Sequence, residues 1–486
     1  MFTLDRSSPI PLADQIEQSL RELILGGRLP PGARLMSLRA LAMHLGVSPN
    51  TVVLAYDRLA ASALIDARGT AGYFVREQAR VPGLDAEVGF IEAGEEQEAV
   101  WLAQQSSDQR AGVLLASSGA LPASWLEDAV PAAAVQRGLA RSSAGMAARC
   151  PPQGLPELRE RLALLLRGQG IAADPAHVMT TSGGTQAMDL ICRAFLKPGD
   201  TVLVEDPGYF LMFERLRADG LNIIRLRRGP EGLDLTAFEA ACIAHRPRLL
   251  FVQTVLHNPT GWGSSPALLH KLLVLAQRHG VLIAEDDVHG HFHPGGASRL
   301  AALSGLDQVI YYSSFCKALS PALRMGYLAA EPSLLKPLLR AKIYSVLTNA
   351  ALNEYVLLEV LAAGRWRKHL ERLQQKLAKA RQGSVAQLQS AGVQLAPAGE
   401  GGLFLWGAVA EGIDVDLLVQ DAYRNKILLA KGSGFSSRPE DACHLRFNVA
   451  YSQHARLGDY LRSRLRALEG GQLALARVAQ GMRSER

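Results

Sequence analysis

The chain has 486 residues, 48% hydrophobic and 20% charged, ordinary globular usage in a length that suits about three packing units. No stretch reaches the roughly 18 uninterrupted apolar residues of a membrane span, and Asp5, Arg6, Pro9 and Pro11 stand where a secretory signal needs an apolar run, so a cytoplasmic protein without a membrane partner is expected. Five scattered cysteines with no CxxC pair argue against structural disulfides and zinc, and no metal site is expected.

The net charge of +6 is uneven along the chain: residues 1–76 carry +2, residues 77–112 carry −6, and the rest carries +10. The acidic stretch holds Pro82, Gly83, Gly89, Gly94 and the run Glu95, Glu96, Glu98, the composition of a solvated linker, with a short helix expected near Val100–Leu102. Three regions follow: residues 1–76, an acidic linker over 77–112, and residues 113–486.

In the first region Leu12, Ile16, Leu20, Leu23 and Ile24 share one helical face, and Gly26-Gly27 ends that helix. A second short helix carries Leu38, Leu41, Ala42 and Leu45 and stops at Gly46. Ser48 caps a third, with Pro49 at its first position and Val52, Val53, Tyr56, Leu59 and Ala60 as its buried stripe. Helix, Gly-Val-Ser turn, helix is the spacing of a helix-turn-helix. Two extended pieces, Leu64–Ala67 and Tyr73–Arg76, joined through Gly69 and Gly72, complete it as a hairpin wing.

These residues resemble the winged helix-turn-helix domain of GntR-type bacterial regulators. The resemblance implies double-stranded DNA as a partner: Arg39 holding a phosphate, Ser48 and Asn50 facing the major groove, and Arg68 in the wing reaching the backbone. Two departures stand out, Pro49 where the family usually has Arg and Leu54 where a polar or basic residue is common.

In the third region short apolar runs, Val178–Thr181, Thr201–Val204, Leu249–Gln253, Val281–Ala284, Val309–Tyr312 and Met325–Ala329, alternate with helical stretches such as Gln186–Leu196 and Pro266–His279. That alternation predicts an α/β fold with a mostly parallel sheet covered on both faces. Four loops after these strands carry chemistry. Thr180–Gln186 runs into a helix N-terminus suited to a phosphate. His257-Asn258-Pro259 offers an amide, and Glu285-Asp286-Asp287 puts carboxylates in the same crevice. In the last loop Ser314 precedes Lys317 by three residues and Arg324 follows it by seven.

Singly, each has a bland reading as a cap, a turn residue or an ion-pair partner. In this order they closely resemble the pyridoxal phosphate site of the aspartate aminotransferase fold (fold type I), over nearly all of Val113–Arg466. The resemblance implies pyridoxal 5'-phosphate as cofactor and Lys317 as the catalytic amine that its aldehyde requires, its pKa lowered by a cationic surrounding. Asp286 would keep the pyridine nitrogen protonated. Gly184, Thr185, Ser314 and Arg324 would hold the phosphate, Asn258 would donate to the phenolic oxygen, and Tyr209 would stack on the ring. Arg446 in His444–Asn448 would anchor a substrate or effector carboxylate. His289 stands where a Tyr commonly donates to the phenolic oxygen, and its titration near pH 6.5 would make the site pH-sensitive. Cys150 stands where a Tyr commonly reaches the neighbouring subunit's phosphate.

Winged helix, linker and aminotransferase-like domain in this order resemble MocR-type regulators. The resemblance implies a homodimeric transcription regulator that senses an amino acid or amine. The alternative is a working aminotransferase with an N-terminal appendage, since Lys317, Asp286, Asn258, Arg324 and Arg446 are all present.

Overall fold

Three helices and a hairpin build the first of the two units into which the chain folds, Met1–Ile91 and Glu92–Arg486. The structure is a computed structural model and describes residues 4, 6, 11–25, 29–30, 32–62, 64–69, 72–76, 102, 104, 112–142, 149–397, 399 and 401–468. Helices α1 (Leu12–Leu25), α2 (Leu38–Leu45) and α3 (Pro49–Ala61) lie where the apolar spacing puts them. Ser37 caps α2 by accepting from the Ala40 N–H at 3.3 Å. The same helix ends on Gly46 at φ 64, a left-handed conformation that glycine adopts without a Cβ clash. Ser48 caps α3 by accepting from the Thr51 N–H at 3.2 Å, with Pro49 next.

Val52, Ala55, Tyr56 and Leu59 of α3 are fully buried against Ile16, Leu20 and Ile24 of α1. The wing is β1 (Ile65–Ala67) paired antiparallel with β2 (Tyr73–Val75), Ile65 opposite Val75. Tyr56 ties it to the helices: its ring meets Tyr73 edge-on at 4.9 Å, and its hydroxyl donates to the Met36 carbonyl at 2.8 Å. Most of the acidic linker lies outside the described residues; of its expected helix, Leu102 is helical and packs in the second unit with Phe210, Trp406 and Phe435.

The second unit is built on an eight-stranded sheet ordered β3-β10-β9-β8-β7-β4-β5-β6. Its strands are β3 (Val178–Thr181), β4 (Thr201–Asp206), β5 (Asn222–Gly229), β6 (Gly232–Leu233), β7 (Leu249–Val252), β8 (Leu282–Asp286), β9 (Val309–Ser314) and β10 (Gly326–Ala329). Strands β5, β4, β7, β8 and β9 run parallel, and β4, β7, β8 and β9 are buried along nearly their whole length, as strands covered on both faces must be. The predicted pattern holds, with two additions. Strand β10 runs antiparallel between β3 and β9, and β5 escaped notice because Arg225, Arg227 and Arg228 interrupt its apolar run.

Helix α4 (Gly184–Phe195) follows β3, and α5 (Phe210–Ala218) follows β4. A second, antiparallel sheet is ordered β11-β12-β14-β13, with β11 (Gln394–Leu395), β12 (Phe404–Ala408), β13 (Ala430–Lys431) and β14 (His444–Asn448); β12 and β14 pair with Trp406 opposite Arg446. The loops after β3, β4, β7, β8 and β9 open on one side of the large sheet, where open α/β sheets place their ligands.

Candidate functional site

Strand β8 delivers one carboxylate to the crevice, not three. Successive strand residues face opposite ways, so Glu285 and Asp287 point away from Asp286. Glu285 accepts from the Leu300 and Ala301 N–H groups, both at 2.8 Å, and Asp287 pairs with Arg299 at 2.8 Å and accepts from the Tyr311 hydroxyl at 2.6 Å. The expectation of several carboxylates in one crevice is corrected accordingly. Asp286 accepts from the Val288 N–H at 3.0 Å and the Tyr312 hydroxyl at 3.1 Å, and burial pushes its pKa up to about 6.

Lys317 follows β9. Burial, and then the charges of Arg446 and Arg324, bring its ammonium down to about 8. A Cβ on Gly119 would lie 3.5 Å from its Nζ, so the absence of a side chain there leaves room beside the amine.

Between β3 and α4 the chain turns through Gly183 at φ 95, and no side chain caps the N-terminus of α4. A Cβ on Gly183 would meet Arg324 Nη2 at 3.0 Å, so backbone and cation come this close because residue 183 is glycine, and a Cβ on Gly184 would meet Val288 at 2.8 Å, so that turn too needs a glycine. Arg324, itself at φ 48, donates to the Ser182 carbonyl at 3.1 Å, and Ser314 Oγ accepts from the Cys316 N–H at 3.1 Å. Uncapped amides at Gly184 and Thr185, hydroxyls on Thr185 and Ser314, and a guanidinium form an anion cradle.

Asn258 and Arg446 arrive together: Arg446 donates to Asn258 Oδ1 at 2.8 Å and to the Ser117 carbonyl at 2.6 Å. That leaves the Asn258 amide nitrogen to donate elsewhere. Arg446 is 2% exposed, lies 4.6 Å from the ring centroids of both Phe404 and Phe435, and is pulled down to about 9 by burial. A cation this poorly hydrated is a strong site for a carboxylate. Tyr209 sits at the start of α5 beside Phe210, with burial and then Asp286 pushing its phenol up to about 12.

His289 is buried, and neither of its ring nitrogens has a partner among the described residues. Burial, then the charges of Lys317 and Arg446, lower its pKa to about 3. The expected titration near 6.5 is therefore corrected: the imidazole is neutral throughout the physiological range. A neutral ring still donates one hydrogen bond. The spectral titration of bound cofactor is expected to show no step near pH 6.5 that His289→Tyr removes; a histidine-dependent step there would contradict this burial. Cys150 is also turned inward, hydrogen-bonded to Glu354, with burial and that carboxylate raising its thiol to about 12.

The residues fit a phosphorylated pyridine aldehyde: an amine, a carboxylate, an amide, an orphaned imidazole and an anion cradle line one crevice. Some partners carried no signal in the sequence. Gln253 accepts from the Asn258 N–H at 2.8 Å and its own amide hydrogen-bonds Asp286, while Ser117 and Gly119 come from a distant segment. Among the described residues no group of three or more His, Cys, Asp or Glu side chains could hold a metal ion, and no helix is long and apolar enough to cross a membrane.

In the first unit Arg39, Ser48, Asn50 and Arg68 are all accessible on the surface. The Ser48 hydroxyl is engaged with the Thr51 N–H and, at 2.8 Å, the Thr51 hydroxyl, so its first duty is the cap. Arg68 stacks on the Phe74 ring at 4.8 Å, which fixes its stem on the wing.

Comparison with known proteins agrees with this division. Residues 112–462 match the aminotransferase class I and II family, and residues 12–75 match the gntR family of bacterial regulatory proteins. The HTH-type transcriptional regulator YdcR of Escherichia coli is 31% identical, over 90% of this chain and 94% of its own. The probable rhizopine catabolism regulatory protein MocR of Rhizobium meliloti is 27% identical over 79% of each. Among solved structures, the α-aminoadipate aminotransferase LysN of Thermus thermophilus, complexed with N-(5'-phosphopyridoxyl)-L-leucine, is similar at TM-score 0.69 and 27% identity, covering 79% of this chain and 96% of that one. The chain belongs to the MocR-type transcription regulators, in which a GntR-family DNA-binding domain is fused to an aminotransferase class I and II domain.

Proposed function

We propose that this protein is a cytoplasmic, pyridoxal phosphate-dependent transcription regulator that reports the presence of an amino acid or amine. The observation that carries this reading is the crevice itself: Lys317, Asp286, Asn258, His289 and Arg446 converge beside the Gly183–Thr185 cradle, in a chain that begins with a helix-turn-helix. When bound, the cofactor supplies an aldehyde that condenses with primary amines. The chain's residues do the rest. The α4 N-terminus, Ser314 and Arg324 hold the phosphate; Asp286 keeps a proton on the ring nitrogen; Asn258 and His289 donate to the phenolic oxygen; Tyr209 covers the ring face.

Lys317, whose ammonium burial brings down to about 8, would be the amine that holds the aldehyde, and it can take or release a proton near neutral pH. Arg446 selects a ligand that also bears a carboxylate. Such a ligand shifts DNA affinity only through unequal affinity for the DNA-bound and free arrangements.

A homodimer suits this reading. Tyr344, 81% exposed, stands with Ile343, Val346 and Leu347 in an apolar patch, and the same turn reaches the phosphate loop through Asn349 and Ser182, whose side-chain oxygens lie 3.4 Å apart. A second copy would cover the patch and present two winged helices to paired half-sites.

The test is fluorescence anisotropy of the full chain on a duplex recovered by selection from a random library, read with pyridoxal phosphate and with each common amino acid in turn. One amino acid that changes DNA affinity at fixed cofactor supports the proposal. Silence toward all of them, together with amino transfer to a 2-oxo acid, would replace it with the aminotransferase reading. On the same duplex Arg39→Ala is expected to weaken binding to all sequences alike and to reduce the slope of log affinity against log salt by about one, whereas Asn50→Ala changes base preference.

A further inference from the structure

Helix α3 has two unlike sides. Val52, Ala55, Tyr56 and Leu59 are buried in the three-helix core. On the opposite side Asn50, Leu54, Asp57 and Ala61 form an exposed stripe one helical turn per step, and Leu54 is 47% exposed. A single exposed leucine is ordinary on a protein surface. This one lies in the middle of the helix that a helix-turn-helix lays in the major groove.

The remaining chemistry of that helix narrows what it reads. The hydroxyls of Ser48 and Thr51 bond each other at 2.8 Å, and Ser48 also accepts from the Thr51 N–H. Arg58, the one basic residue of α3, is paired with Asp14 and lies 3.8 Å from Glu17. No guanidinium or ammonium of α3 is therefore available for the bidentate bond to guanine O6 and N7. What remains is the Asn50 amide, which makes no hydrogen bond to a described residue, and the Leu54 side chain one turn later. The amide matches adenine N6 and N7; an aliphatic side chain in the major groove matches the 5-methyl group of thymine.

Resting on the DNA-binding reading above, we propose that Leu54 is a specificity-determining residue that packs on a thymine 5-methyl group. With Asn50 on a neighbouring adenine, it makes the part of each half-site under α3 an A·T element. The residue that departs from the family's polar or basic pattern is then a changed contact: the helix reads a methyl group where an arginine would read guanine.

The test removes only that methyl group. The full chain selects its site from a random-sequence duplex library, and each thymine of the enriched duplex is then replaced in turn by uracil. Wild type is expected to lose about fourfold in affinity at one thymine per half-site, the worth of one buried methyl, and close to fifteenfold when both half-sites are changed. Leu54→Ala, a change at an exposed position, is expected to bind the thymine and uracil duplexes equally while keeping the wild-type salt slope. Leu54→Arg is expected to enrich guanine where wild type enriches thymine. Indifference of wild type to uracil at every position, or full thymine preference in Leu54→Ala, overturns the inference and leaves DNA binding standing. Enrichment of no sequence at all overturns the DNA-binding reading, and this inference with it.

Discussion

Lys317→Ala is expected to abolish covalent attachment of pyridoxal phosphate. Borohydride reduction of the wild-type holoprotein followed by peptide mass spectrometry yields one adduct, on Lys317, and the mutant yields none. Two lysines compete for that role on titration alone, since burial brings both Lys317 and Lys342 down to about 8. At that value about a tenth of the amine is neutral at pH 7, against roughly 0.03% for an ordinary lysine. Geometry separates them. Lys342 donates to the Thr180 carbonyl at 2.8 Å and is partnered by the buried Glu354, so its proton has a structural use. Lys317 faces Asp286, Arg324 and Arg446 in the crevice. An adduct on Lys342, or one surviving in Lys317→Ala, would move the cofactor elsewhere.

Legibility in the sequence followed the range of the physics. Elements set by local rules were read closely: α1, α2 and α3 stand within a residue or two of where apolar spacing, the Ser48 cap and Gly46 put them, and Pro266–His279 is a helix over the predicted span. The loops after the strands gather on one edge, as the alternation of strands and helices predicts, because a parallel sheet must put them there. Three things were out of reach. That Glu285 and Asp287 turn away from the crevice while Asp286, the acid the resemblance picks out, stays in it depends on the register of β8, fixed by its neighbours. The charge state of His289 depends on burial and on Lys317 and Arg446, the latter 157 positions away. Ser117 and Gly119 are small residues whose value lies wholly in what approaches them.

Asp286 separates affinity from stability, and the two are expected to move in opposite directions on its replacement. In the cofactor-free protein burial raises its pKa from 3.8 to about 6. A carboxyl whose folded pKa lies above its unfolded value is favoured by folding in the protonated form; that stability is fully present below the unfolded pKa and is lost as pH rises through about 6. At pH 7 the charged Asp286 therefore costs the empty protein up to about 3 kcal/mol. A protonated ring nitrogen reverses this preference, because it stabilises the carboxylate. Wild-type cofactor affinity is accordingly expected to be flat above about pH 6 and to fall by up to about tenfold per pH unit below it, as binding must first displace a proton. Asp286→Asn keeps an oxygen to accept from the Val288 N–H but puts an NH2, which donates to the Tyr312 hydroxyl oxygen instead of accepting from it, in place of the second oxygen, and it carries no charge. It is expected to bind pyridoxal phosphate about a hundredfold to a thousandfold more weakly at pH 7, the cost of leaving a buried cation unpaired, with a shallower acid limb than wild type, the remainder coming from the cofactor's phosphate, whose second ionisation lies at about pH 6. Thermal unfolding of the empty mutant at pH 7 should nevertheless occur at a higher temperature than that of wild type, and at pH 4 the difference should vanish. A mutant that loses affinity and stability together at pH 7 would mean that Asp286 holds the strand end rather than the cofactor.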